Sequence, residues 1–302
     1  MIVFVSTAEH SYTHKPVAEL EGPVRVAQTT YRDLLPATSL PRATYVFTDL
    51  DRLSLWELRL AGLTFRKMRE QGLRVLNNPA RVLSRWGLLR ALRLAGINDF
   101  DAYRVEERVR PRRWPVFLRA EGAHLGPISG LLHDWNQVAA EIERAMAKGA
   151  PITALLIVEY AGEPVLPGLY RKFGSFRIGS AGFAHVCVDE DHWVAKDGKR
   201  GITPPHLAEE ELRVVRDNPH GPDVARAFDI AGLEYGRADF GLVGGKVQIY
   251  EINSNPEILF GNDHPSPLRQ EAYRVIRENY LQSLSAIDTR EGGTVAIGES
   301  AP

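Results

Sequence analysis

Cysteine is almost missing from this chain: Cys187 is the single one in 302 residues. One thiol excludes an internal disulfide and fits a reducing compartment, so a cytoplasmic protein is expected. Net charge is equally scarce. The 37 basic and 38 acidic side chains leave −1, which gives no electrostatic footprint for nucleic acid or an anionic membrane. No apolar run approaches the ~20 residues of a membrane span. The opening segment Met1–Thr7 is too short and lacks the basic start of a signal peptide, so it reads as a first strand. There is no G-x-S-x-G nucleophile motif, no internal repeat, and no low-complexity stretch before the tail.

What remains is ordinary globular material, 44% hydrophobic and 25% charged, long enough for two or three domains or for lobes sharing a core. Ile2–Val5 and Thr44–Thr48 read as strands, Leu53–Gln71 as a helix with Gly62 its weak point, and Leu73–Leu76 as a third strand. Strand, helix, strand with short links predicts a parallel α/β lobe over residues 1–78. His10 and His14 fall in a polar loop. Arg81–Leu94 is an amphipathic helix closed by Gly96, and Trp114–Ala120 is a strand followed by the Gly122 and Gly126 loop. Asp134 is the expected N-cap of a helix to Ala147. Ile152–Tyr160 is a nearly continuous apolar strand. Gly168–Ile178 and Phe183–Val188 form a strand pair. Leu207–Asp217, Ala225–Ala231 and Glu271–Leu284 read as helices, and a disordered tail is expected over residues 288–302.

The most informative stretch is Gly232–Asn255. Arg237 and Asp239 sit two apart, as do Glu251 and Asn253, with the turn signal Val243-Gly-Gly-Lys246 between. Residues two apart on a strand share a face. Asp239 and Glu251 oppose one another on that face if the loop is the three residues Gly244-Gly245-Lys246. A two-residue Gly-Gly turn separates them unless a bulge restores the phase. Opposed carboxylates repel. A divalent cation relieves this, and carboxylate plus amide oxygen is Mg²⁺ chemistry.

This R-x-D, Gly turn, E-x-N-x-N-P pattern resembles the metal-binding end of the ATP-grasp superfamily, which includes many carboxylate–amine and carboxylate–thiol ligases. With the motifs upstream, the resemblance spans about residues 73–260. It implies an α/β fold, α+β in the C-terminal half. In that fold a Rossmann-like N-terminal lobe (1–78) precedes a small lobe (79–161) and a C-terminal lobe with the metal site (162–287), the last two clasping a nucleotide cleft. It implies ATP and Mg²⁺ as cofactors, with Asp239, Glu251 and Asn253 on the metal and Arg237 meeting phosphate or substrate carboxylate. Arg85 and Arg119 stand where the family usually has Lys and would contact phosphate, although Arg85 could equally be a solvated helix-face residue. Arg is not equivalent to Lys, being planar and bulkier. Gly122 and Gly126 belong to the loop that lies over phosphates. Glu159, Tyr160 and Ala161 form the adenine hinge, through backbone groups of the last two and the Glu159 carboxylate. Arg177 faces the acceptor or phosphate pocket, and Lys172 is a further cation.

The implied reaction is phosphoryl transfer from ATP to a small-molecule carboxylate, then attack by an amine or thiol. A small-molecule kinase and a nucleotide-binding protein with little turnover stand as alternatives. Partners are expected to be small molecules, with no nucleic acid and no membrane. The sequence leaves the acceptor and the oligomeric state open, a homodimer included.

Overall fold

The computed structural model describes residues 1–19, 22–122, 126–258, 264–289 and 292–298. Among these residues there are four sheets. The first is parallel, with spatial order β2-β1-β4-β5. It is built from β1 (Ile2–Ser6), β2 (Val26–Thr30), β4 (Thr44–Phe47) and β5 (Arg74–Leu76). Short helices α1 (Lys15–Ala18) and α2 (Tyr31–Leu34) flank β2, and α3 (Leu55–Glu70) returns the chain to β5. Helix α3 starts where it does because Ser54 and Glu57 close a reciprocal capping box.

A three-stranded antiparallel sheet, β6-β8-β7, comes next. Its strands are β6 (Ala102–Arg104), β7 (Val116–Ala120) and β8 (Leu155–Glu159). Helix α4 (Arg85–Leu94) leads in, and α5 (Trp135–Ala147) packs on the sheet. Asp134 caps α5 as expected, accepting from the Gln137 amide at 2.9 Å.

The largest sheet has the order β11-β10-β12-β13, with β9 beside β10. It comprises β9 (Pro164–Leu166), β10 (Leu169–Ile178), β11 (Ala181–Glu190), β12 (Tyr235–Val243) and β13 (Lys246–Asn253). Helices α6 (Pro205–Asp217), α7 (Gly221–Ala231) and α8 (Pro267–Ile287) complete this half.

Two cores are shared between the parallel sheet and the largest sheet. One joins Val3, Val5 and Phe47 to Phe228 and Phe240, the other joins Phe4 to Tyr235 and Tyr280. The three-stranded sheet has its own core around Val116, Leu118, Val138 and Ile157.

Two expectations are corrected. The tail is not disordered throughout: β14 (Thr294–Ala296) pairs antiparallel with β3 (Ser39–Pro41), and Val295 and Ile297 enter the first core. Two apolar side chains at alternate positions suffice to hold so short a strand once an edge is available. His14 does not lie in a plain polar loop. It ends a 3-10 turn (Ala8–His14), is 1% exposed, and stacks on Phe4 at 3.8 Å while its Nε2 meets the Tyr235 hydroxyl at 2.9 Å.

Candidate functional site

The β12–β13 hairpin brings Asp239 directly opposite Glu251, and Arg237 opposite Asn253. The route differs from the three-residue loop. Val243 pairs with Lys246, so the turn is the two residues Gly244 and Gly245, both at positive φ (56° and 77°), as a tight hairpin turn demands. Such a turn alone puts the carboxylates on opposite faces. A register shift restores the phase, because Phe240 pairs with Ile249 while Asp239 pairs with Glu251, leaving Tyr250 as the extra residue. The Tyr250 ring runs across Gly241, where a Cβ would lie 2.1 Å from its hydroxyl oxygen, and that hydroxyl donates to the Ala161 carbonyl at 2.8 Å. The bulge thus aligns the acids and ties the hairpin to the end of β8.

Two buried asparagines hold the hairpin from either side. Asn77, at φ 62°, donates to the Phe47 and Tyr235 carbonyls and accepts from the Glu234 and Tyr235 amides, all within 2.8–2.9 Å. Asn98 donates to the Ile249 carbonyl at 2.9 Å and accepts from its amide at 2.8 Å.

The carboxylates are each met by two cations. Arg237 Nε donates to Asp239 Oδ1 at 2.9 Å and Lys172 Nζ lies 3.0 Å from Oδ2. Burial by itself would raise the Asp239 carboxyl. The charges of Arg237 and Lys172 outweigh it and hold the group down at about 2. Glu251 Oε2 accepts from Arg85 Nη2 at 2.9 Å and from Arg119 Nη2 at 3.0 Å. Arg119 is pulled down to about 10, first by burial and then by the Arg85 charge, with Glu251 opposing. Asn253 Nδ2 stands 3.5 Å from Glu251 Oε1, at the outer limit of a hydrogen bond.

Arg85, Arg119, Lys172, Asp239 and Glu251 line one end of a cleft between the three-stranded and largest sheets. The other end is apolar and aromatic. Phe100, Phe117, Val158, Trp193 and Tyr250 line it, with Trp193 5.1 Å from Phe117 and edge-on to Tyr160 at 5.6 Å. A slot with a flat aromatic end and a cationic end matches an aromatic base carrying phosphates. A second cavity shares Lys172, Lys196 and Asp239 with the cleft and adds His185, Arg237, Arg269 and Tyr273. Burial, helped by Arg237, lowers His185 to about 3, so its imidazole is neutral at neutral pH.

The structure thus gathers Arg85, Arg119, Lys172, Arg237, Asp239, Glu251 and Asn253. Gly126, at φ 90°, also lines the cleft. Residues 123–125 of the expected phosphate loop lie outside the described residues. Gly122 precedes them, and a Cβ added there would meet no atom within 4 Å.

Tyr160 and Ala161 sit at the aromatic end. The Tyr160 amide donates to the Pro115 carbonyl at 2.9 Å and Ala161 accepts from Tyr250, which leaves the Tyr160 carbonyl and Ala161 amide unbonded among the described residues. Glu159 differs from expectation. Its carboxylate is 2% exposed and accepts from the Asp101, Arg112 and Arg113 amides and the Tyr103 hydroxyl at 2.9–3.0 Å. That carboxylate organises the loop before β7, with three donors on Oε1 and one on Oε2, and Glu159 also lines the cleft. Arg177 is not brought in. It pairs with Asp229 at 2.5 Å and lies over Phe228, and it lines neither cavity.

Sequence reasoning missed the aromatic wall. Phe117 and Trp193 are distant in sequence, and no spacing announces their meeting. Among the described residues no three acidic, His or Cys groups cluster as a self-sufficient metal centre. The two carboxylates and one amide of the hairpin are ligand types that suit Mg²⁺.

No protein-family model matches the chain, and no relative is found among curated proteins. Solved structures do match. A D-alanine–D-alanine ligase from Bacillus anthracis, complexed with ATP, aligns over 97% of this chain and 99% of its own at a TM-score of 0.52 and 12% identity. The ATP-grasp ligase PsnB, complexed with a phosphomimetic variant of its minimal precursor, Mg and ADP, aligns over 92% and 97% at 0.51 and 14%. The chain has the ATP-grasp fold; at these identities the likeness is one of fold.

Proposed function

We propose that this chain is an ATP-dependent ligase that activates a small-molecule carboxylate for attack by an amine or a thiol. The opposed Asp239–Glu251 pair at the cationic end of an aromatic cleft carries this reading. Structural neighbours solved with ATP, and with Mg and ADP, support it.

Asp239, Glu251 and Asn253 would hold Mg²⁺, which when bound neutralises phosphate charge. Trp193, Phe117 and Tyr250 would hold the base. Arg85, Arg119 and Lys172 would face the phosphates, and Gly126 would bring backbone close to them. The substrate carboxylate oxygen attacks the terminal phosphorus as the bond to ADP breaks. The amine nitrogen or thiol sulfur then attacks the acyl carbon, phosphate leaves with the bonding electrons, and the nucleophile loses a proton. No covalent enzyme nucleophile is required; positioning and charge carry the rate. Cys187 fits that account, since burial pushes its thiol well up and keeps it inert. The second cavity, opening on Asp239 and Arg237, would hold the acceptor.

Release of ADP and phosphate against a panel of amino acids, small carboxylates and amines tests the proposal. Turnover that needs both a carboxylate and a nucleophile supports it; a stable phosphorylated alcohol as product indicates a kinase. One observation favours a nucleotide-binding protein with little turnover: two arginines occupy a single oxygen of Glu251. ATP-stabilised melting with no ADP formed under any condition would select that alternative.

A further inference from the structure

The two carboxylates are neutralised from different directions. Arg237 and Lys172, the partners of Asp239, belong to the same sheet as Asp239. The partners of Glu251 reach across the cleft, Arg85 from the first turn of α4 and Arg119 from β7. Among the described residues these ion pairs set four cations against two carboxylates. The Arg85 and Arg119 side chains are only 9% and 16% exposed, so water screens their mutual repulsion poorly. Arg119 Nε is buried and finds no partner among the described residues.

A bare divalent cation entering here must displace two charge-assisted bonds from Glu251. Nucleotide phosphates bring the opposite charge and give both guanidiniums better acceptors. We propose that Arg85 and Arg119 are positioning residues that keep Glu251 from the metal until nucleotide phosphates draw them away, so that the divalent cation enters with the nucleotide and not before it. This rests on the nucleotide reading above. By linkage, the metal strengthens nucleotide binding by the same factor by which the nucleotide strengthens metal binding.

The test is Mn²⁺ binding to the full chain without nucleotide, read from the loss of the free-ion paramagnetic resonance signal. Wild type is expected to bind at least about tenfold more weakly than the double variant Arg85→Gln/Arg119→Gln, in which Glu251 is released. Adding Glu251→Gln to the double variant should abolish the gain. The milder Arg119→Lys variant should fall between the two and covers the case in which the double variant does not fold. Wild type that takes up Mn²⁺ as tightly as Arg119→Lys and the double variant overturns the proposal. The nucleotide reading has its own control: ATP with a chelator, and ATP with Mg²⁺, should each raise the wild-type melting temperature. If neither does, the nucleotide reading fails whatever the Mn²⁺ titration gives.

Discussion

The two sides of the cleft are held to the β12–β13 hairpin by the same kind of contact but rest on different foundations. On one side Asn77 grips the start of β12, and two apolar cores continue from the parallel sheet into the hairpin's own sheet. On the other side Asn98 grips β13; one core of the three-stranded sheet is its own, and a smaller one around Phe100, Leu156 and Val158 meets the hairpin through the Tyr250 side chain alone. Its remaining ties to the hairpin include the Asp99–Lys246 and Asp99–Gln248 contacts, the Tyr250–Ala161 bond and the two arginines on Glu251. Apolar burial makes the first side one body. The second side is held by that one apolar contact and by polar ties, which water or phosphate can replace.

If that contrast is right, damage to the first side costs global stability and damage to the second costs ligand binding. The largest effect is expected for Asn77→Ala. It strands three buried backbone groups and the half-buried Glu234 amide, so urea unfolding should show a loss of about 4 kcal/mol. Asp239→Asn should follow at about 3 kcal/mol, because it removes the buried carboxylate that Arg237 and Lys172 share. Acid should act next, and on the same side. His14 and His185 are both lowered to about 3 by burial. Below about pH 6.5 the unfolded chain takes up protons that these folded imidazoles refuse, so stability is flat above that pH and falls below it. Each contributes about 1.4 kcal/mol per pH unit. Denaturation midpoints of His14→Gln against wild type between pH 7 and 5 should show a shallower slope in the variant; parallel slopes would contradict the assignment of His14 as a neutral core residue. The smallest stability change is expected for Glu251→Gln, about 2 kcal/mol: Arg85 and Arg119 lose their shared carboxylate, but that carboxylate is 22% exposed where the Asp239 carboxylate is 4%. A loss there as large as that of Asp239→Asn would erase the contrast between the two sides.

Much of this was legible in the sequence where physics is local. The spacing of Arg237, Asp239, Glu251 and Asn253 follows from the two-residue period of a strand, and the Asp134 cap from side-chain chemistry. The route to the Asp239–Glu251 pairing was legible only as one of two options, because a bulge at Tyr250 depends on where its ring can lie, and that depends on Gly241 and Ala161 together. The Glu159 carboxylate looked available because its donors, the Arg112 and Arg113 amides, come from a loop with no regular pattern. Arg177 and Lys172 alternate imperfectly along one strand, and only the register of β10 separates them: Arg177 pairs with Gly236, beyond the acids, whereas Lys172 reaches Asp239. The strand at Thr294–Ala296 was hidden because three residues carry no periodic signal.

The most direct test of the clasped-nucleotide account is calorimetric titration of wild type, Asp239→Asn and Glu251→Gln with a non-hydrolysable ATP analogue and Mg²⁺. The account predicts one site in wild type and no measurable binding, at the same concentrations, in either folded variant. Equal affinity in all three proteins would contradict it.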